Sequence, residues 1–229
     1  MNTRTNLTVI LPTTGRPTLA NTLKSLSQLG AGDELVLIVD GGPSAALQVL
    51  SEARLACPIK TILHSPPSGD WVESLRDTYS RRAAGDYLLH VNDDDAYVPG
   101  AISLVREHIR RNPGKMLVFS VAARERPVPW PGQIGIWYGN ISTSCVALPN
   151  DPSRWGTWGG REPGGDFRFY SSCRFERAWV DSTIAVIRPH LWPSPADTYV
   201  TRPPADVAEH DHTIEQTSSA FNQLGSIEP

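Results

Sequence analysis

Cysteine is scarce in this chain. The three that occur, Cys57, Cys145 and Cys173, are odd in number, far apart and in no metal-ligand spacing. They exclude a disulfide scaffold or a thiolate zinc site and fit buried thiols in a reducing compartment. An excess of charge of one sign is missing too. A formal charge of -3 and a pI near 6.1 give no global attraction to nucleic acid or to an anionic membrane. No apolar run is long enough to span a bilayer, and the polar start Met1 to Asn6 leads straight into a strand without a secretory core. The expectation is a soluble, cytoplasmic protein without a membrane span. Two phosphate-binding signatures are also lacking. The first strand is followed by no Gly-x-Gly-x-x-Gly, and no Gly-Lys-Ser/Thr loop occurs, which counts against a nicotinamide enzyme and a nucleoside triphosphatase.

What is present is an alternation of strands and helices. Leu7 to Leu11 is a β-rich run ended by Pro12, and Thr13-Thr14-Gly15-Arg16-Pro17 is a loop. A helix follows with Leu19, Leu23 and Leu26 on one stripe, and Gly30 to Gly32 ends it. Glu34 to Val39 is a second buried strand, Ala45 to Ala56 a helix, Ile59 to Leu63 a strand, Trp71 to Ala84 a helix and Tyr87 to Val91 a fourth strand. The pattern predicts an α/β fold with a mostly parallel twisted sheet, helices on its faces, and ligands at the C-terminal strand ends. A chain of 229 residues buries about 70% of its unfolded surface in one core, so a single domain suffices.

The organising stretch is Gly85 to Pro99, in which the fourth strand runs out into Asn92-Asp93-Asp94-Asp95. Adjacent carboxylates repel and raise one another's pKa, so a divalent cation with hard oxygen ligands is the economical reason to keep three together. If the strand continued, Asp93 and Asp95 would point one way and Asp94 the other. The same triplet also fits a solvated turn or a helix cap. Thr13, Thr14 and Arg16 follow the first strand and Asp40 the second, so three distant loops converge on one rim. There a guanidinium and hydroxyls can meet phosphate, and Asp40 can accept hydrogen bonds from a base or ribose.

In this order, Thr8 to Arg16, then Leu37-Ile38-Val39-Asp40-Gly41-Gly42, then Gly85 to Asp95, the chain resembles the GT-A fold glycosyltransferases of the family 2 type. The resemblance is close over the first half and loose over the second. It implies a single GT-A domain over residues 1–229, with 1–100 the nucleotide-sugar-binding half, 101–203 the acceptor half and 204–229 a polar tail. It implies a nucleoside-diphosphate sugar donor, a UDP-sugar above all, an Mn²⁺ or Mg²⁺ ion on a DxD motif, and inversion at the anomeric carbon. Carried over, Thr13, Thr14, Arg16, Asp40, Arg76, Asp93 and Asp94 bind the nucleotide sugar. Relatives often write the acidic motif Asp-x-Asp-Asp, and this chain has Asn92 in the first place. The metal duty then falls on Asp94, with Asp93 or Asp95 in support, and the ligand pair carried forward is Asp94 and Asp95.

The second half adds a helix near Ser103 to Arg111, a strand over Met116 to Ala123, a proline-rich loop over 127–132, a small-residue strand over Gly139 to Leu148 and a late strand over Val180 to Ile187. An inverting transferase needs a base for the acceptor hydroxyl, and relatives place an acidic residue after a glycine-rich loop and ahead of a helix. Asp166 matches that position, although relatives often carry Glu-Asp where this chain has Gly165-Asp166. A helix N-cap is the competing reading of Asp166, and Glu162 is the reserve base. His210 or His212 could complete a metal site, whereas His90 fits a satisfied core histidine. Trp137, Trp155, Trp158 and Trp179 are core or acceptor-stacking residues. The acceptor stays open between a saccharide, a small molecule and a hydroxylated nucleic-acid base. The last rests on Arg154, Arg161, Arg168, Arg174 and Arg177 interleaved with aromatics. A sugar-phosphate nucleotidyltransferase and a non-catalytic nucleotide-sugar-binding module are the rival classes.

Overall fold

The computed structural model describes residues 5–42, 45–124, 127–159 and 164–189. Strands β1 (Leu7–Thr13) and β2 (Glu34–Asp40) are buried along their whole length. Their near-continuous apolar runs are what a strand covered on both faces requires. Alternate residues part cleanly. Val9, Leu11, Leu35, Leu37 and Val39 join the main core, while Ile10, Val36 and Ile38 form a second cluster on the other face. The main core is covered by α1 (Leu19–Ser25), α2 (Ala45–Glu52) and α4 (Ala101–Arg111), the second by Leu75 and Tyr79 of α3 (Glu73–Ser80).

β3 (Ile59–His64), β2, β1 and β4 (Tyr87–His90) are parallel neighbours. Beyond them come β7 (Val146–Pro149), β6 (Met116–Ala122), β8 (Arg177–Ile187) and β5 (Asp95–Tyr97), giving one sheet in the order β3-β2-β1-β4-β7-β6-β8-β5. Four strand pairs are parallel, and β4–β7, β6–β7 and β5–β8 are antiparallel. Order reverses at β1 and β4, which makes the crevice above their C-terminal ends the natural ligand site. Pro12 is tolerated inside β1 because pairing to β4 stops at Ile10, so its missing N–H interrupts no ladder on that side. Gly85 lets β4 close on β1, since a Cβ there would sit 2.6 Å from the Thr8 nitrogen.

The opposite end of the sheet is tied by two acids. Asp33 accepts from the Leu7 and Gly30 N–H groups and pairs with Arg106; Glu34 accepts from Thr8 Oγ1 and the Ala84 N–H and pairs with Lys60. These bonds fix the strand starts and leave the other rim free for chemistry. The fifth helix, α5 (Gly165–Ser172), follows the glycine-rich loop. Two expectations need correction. The strand expected over Gly139 to Leu148 is regular only from Val146, and α3 begins at Glu73 rather than Trp71 because Trp71 and Val72 are left-handed, with φ of 58° and 61°. All three cysteines are free and buried. Among the described residues no helix is long and apolar enough to cross a membrane.

Candidate active site

At the switch point the ends of β1 and β4 are joined by side chains. Thr13 Oγ1 donates to Asp93 Oδ2 at 2.7 Å and accepts from the Gly15 N–H at 2.9 Å. Arg16 Nη1 lies 3.0 Å from Asp94 Oδ2 and 3.7 Å from Asp93 Oδ1. The Thr14 N–H also bonds Asp93, and its side chain is exposed at the rim. These loop residues therefore serve the acidic turn. They do not cap α1, whose N-cap Thr18 makes no side-chain capping bond.

The three aspartates are not equivalent. β4 stops at His90, the chain turns with the Asp95 N–H bonded to the Asn92 carbonyl, and Asp95 opens β5 against β8. Asp95 is 1% exposed. Its Oδ2 accepts from Ser144 Oγ at 2.7 Å and Asn92 Nδ2 at 3.0 Å, and its Oδ1 from the Arg188 N–H at 3.2 Å. Burial pushes its pKa up to about 6 against those donors. Asp95 is thus spent on holding β4, β5 and β8 together, whereas the expected metal pair was Asp94 and Asp95. Asp93 is buried too, and burial raises its pKa against the Thr13 bond and the Arg16 charge. Asp94 faces two cations, Arg16 and Arg188, whose Nε is 3.4 Å from Asp94 Oδ2.

Arg188 is a site residue that the sequence reading missed. It follows β8 with a left-handed φ of 50°, and no motif marks it. Its place at the rim comes from the pairing of β8 with β5 on one side and β6 on the other.

Asp40 holds its neighbouring loop. Its Oδ1 accepts from the Ser68 N–H and its Oδ2 from Ser68 Oγ, both at 2.8 Å, so it fixes the segment leading to the strained Trp71-Val72 pair. Arg76 of α3 is 5% exposed. Nη2 donates to Asn92 Oδ1 at 2.7 Å, Nη1 to the Trp71 carbonyl at 3.4 Å, and Nε has no hydrogen-bond partner among the described residues. Burial lowers its pKa, with Tyr170, Asp166, Asp95 and Glu73 opposing. A guanidinium stays charged, so an incompletely paired one held beside the acidic turn is a natural anion contact.

Across the crevice stands α5. Asp166 lies in its first turn, where Oδ1 accepts from the Phe167 N–H at 2.8 Å. Burial raises its pKa, and the Phe167 N–H, Arg76 and Arg168 pull it back. The N-cap is Gly164, so Asp166 is not the capping residue. His90 is fully buried, with Nε2 2.9 Å from Ser80 Oγ and Nδ1 2.9 Å from Tyr170 Oη. Burial, with Arg76 second, lowers its pKa to about 3, so it is the satisfied core histidine expected.

Trp155 and Trp158 are core: Trp155 donates to the Pro149 carbonyl and Trp158 stacks on Phe169 at 4.2 Å. Trp179 is half-buried, while Trp137 and Tyr138 are exposed, and Tyr138 lies against Gly164 beside the start of α5. The arginine-rich segment is largely committed to structure. Arg154 donates to the Arg174 carbonyl, Arg174 to that of Ser153 and Arg177 to that of Ser171, bonds that fix their direction and leave their charges in place. Arg161, Glu162, His210, His212 and the tail 204–229 lie outside the described residues. Among those described, no three His, Cys, Asp or Glu side chains gather into a metal site.

No curated protein matches the chain by sequence. Among solved structures, residues 1–349 of S. aureus TarS match with a TM-score of 0.62 at 14% identity, covering 80% of this chain and 61% of that one. The same S. aureus fragment with UDP-GlcNAc gives 0.61 at 14% identity over 97% and 68%, and with UDP 0.57 at 14% identity over 79% and 60%. This chain thus spans under two thirds of the first of these neighbours, and at such identity the likeness speaks to the fold. A sequence model described as glycosyl transferase family 2 matches residues 8–153, from the first strand through the acidic turn and past β7, and the chain belongs to that family.

Proposed function

We propose that the protein is an enzyme that moves a sugar from a nucleoside diphosphate sugar, with a UDP-sugar as the donor, to an acceptor hydroxyl with inversion. The carrying observation is the joined rim: Thr13 on Asp93 at 2.7 Å and Arg16 on Asp94 at 3.0 Å bring the ends of β1 and β4 into one charged cradle. The UDP and UDP-GlcNAc complexes of TarS support the choice of donor.

In this reading Thr13, Thr14, Arg16, Asp40, Arg76, Asp93 and Asp94 form the donor half within residues 1–100, and residues 101–203 form the acceptor half. A divalent ion fits by donor type. Asp94 at the rim would be its ligand, with Asp93 in support. When bound, the ion supplies Lewis-acid stabilisation of the diphosphate as a leaving group. Arg16 and Arg188, long side chains that cover Asp94 in the free protein, turn to the phosphate oxygens, and Arg76 keeps a fixed positive charge below them. Asp166 takes the acceptor hydroxyl proton while that oxygen bonds the anomeric carbon, and the electron pair of the broken bond leaves with the diphosphate. The elevated pKa of Asp166 suits a base. Trp137 and Tyr138 offer exposed faces for a saccharide at the acceptor end.

The test is a panel of nucleotide sugars with Mn²⁺, read by release of nucleoside diphosphate. Release from one donor, faster with the right acceptor and lost in Asp166→Asn, is expected. Pyrophosphate release from a nucleoside triphosphate plus a sugar phosphate would replace this reading with nucleotidyl transfer.

A further inference from the structure

The acidic turn brings its own cations. Asp93 and Asp94 are buried, and a desolvated carboxylate without a counter-charge is costly. Arg16 Nη1 stands 3.0 Å from Asp94 Oδ2 and 3.7 Å from Asp93 Oδ1, and Arg188 Nε stands 3.4 Å from the same Asp94 oxygen. Two carboxylates and two guanidiniums thus balance. Asp95 stands outside this set, because Ser144, Asn92 and the Arg188 N–H occupy its oxygens. An ion is therefore not the only means of keeping these aspartates together: the arginines already do it.

The two sides of this arrangement differ in exposure. The Arg16 and Arg188 side chains are 52% and 60% exposed, whereas that of Asp94 is 9% exposed. Exposed guanidiniums change partners readily, since water competes for them and holding a long side chain in one geometry costs entropy. They also reach Asp94 from separate elements, Arg16 from the loop after β1 and Arg188 from the end of β8. A divalent ion at Asp94 Oδ2 would meet two positive charges already on that oxygen, and like charges so close repel. A nucleoside diphosphate changes the balance, because its oxygens suit the planar fork of a guanidinium and give both arginines another anion.

We propose, resting on the transferase reading, that Arg16 and Arg188 are built-in counter-ions of the acidic turn, so that the site takes a divalent ion together with a nucleoside diphosphate and not by itself. The phosphates receive the two guanidiniums that Asp94 gives up. Ion and nucleotide then strengthen each other's binding by the same factor, as linkage requires. Arg188 can be altered without opening the sheet, because its backbone N–H, not its side chain, bonds Asp95 Oδ1.

The experiment titrates Mn²⁺ into the full chain with and without UDP, reading free Mn²⁺ by electron paramagnetic resonance and correcting for the ion that UDP holds in solution. Wild type should bind Mn²⁺ alone at least roughly tenfold more weakly than with UDP. Arg16→Gln and Arg188→Gln, which remove a charge and keep a polar side chain, should each bind Mn²⁺ alone roughly threefold or more tightly than wild type, yet bind UDP with Mn²⁺ about tenfold more weakly. Loss of a merely structural contact would not tighten ion binding. Arg188→Lys, which keeps the charge, should bind Mn²⁺ alone within about twofold of wild type. Asp94→Ala should lose the ion in both states. Wild type that holds Mn²⁺ equally well without UDP, Gln variants that bind Mn²⁺ alone no better than wild type, or ion uptake that survives Asp94→Ala overturns the proposal, while turnover of a nucleotide sugar by wild type keeps the transferase reading. Wild type that takes up neither Mn²⁺ nor UDP and consumes no nucleotide sugar overturns both.

Discussion

Acidification tests the buried centre beneath the site. His90 bridges β4, α3 and α5 through Ser80 and Tyr170, and the Trp158 ring stands edge-on to it at 5.3 Å. Its pKa falls from 6.5 to about 3 in the folded protein, by burial first and the Arg76 charge second. A depressed pKa contributes stability that is whole above the unfolded value and lost as pH falls through the folded one. Between about pH 7.5 and about pH 5 the unfolded imidazole takes up a proton that the folded one refuses, which removes about 2 kcal/mol, and the loss continues toward pH 3. The assay is urea unfolding of wild type and His90→Gln at both pH values. Asp95 works in the opposite sense between 3.8 and about 6, but it is common to both proteins, so their difference isolates His90. The variant should be weaker at neutral pH and should lack roughly 2 kcal/mol of the wild-type loss on acidification. Equal pH dependence in the two proteins would refute a neutral buried His90.

Two further substitutions separate structure from ligand binding. Asp95→Ala strands three donors and should cost roughly 3 kcal/mol by denaturant titration, whereas Asp95→Asn should fold and keep ion-dependent UDP binding; loss of that binding in the folded Asn variant would make Asp95 a ligand. Trp71→Gly, at a left-handed and largely exposed position, should stabilise by roughly 1 kcal/mol, and no gain in the denaturation midpoint would mean that the strain has been misjudged.

The parallel part of the sheet was legible because β1, β2 and β4 are apolar runs punctuated by proline, glycine and aspartate, a signal local to each segment. Three features were not local. β5 is three residues long, and Asp-Ala-Tyr becomes a strand only because β8 arrives some ninety residues later to pair with it, Asp95 opposite Ile187. That pairing turned Asp95 inward and brought Arg188 to the rim, so the division of labour among the aspartates was invisible in the motif. The stretch from Gly139 fails as a strand because side chains outbid the ladder. Asn140 bonds the Trp130 N–H and the Gly135 carbonyl, and Ser142 with Cys145 closes a 3₁₀ turn. Glu73 was read as one more helix residue, since only the packing of α3 on α5 gives it a neighbour at Gly165.

The central claim is a nucleotide cradle completed by an ion at Asp94. Its most direct measurement is titration calorimetry of UDP into the protein, with and without Mn²⁺ or Mg²⁺, for wild type and Asp94→Ala. The account predicts binding by wild type that depends on the ion and is lost in Asp94→Ala while the fold is kept. UDP binding that is indifferent to the ion and to Asp94, or no uptake by wild type under any of these conditions, would contradict it.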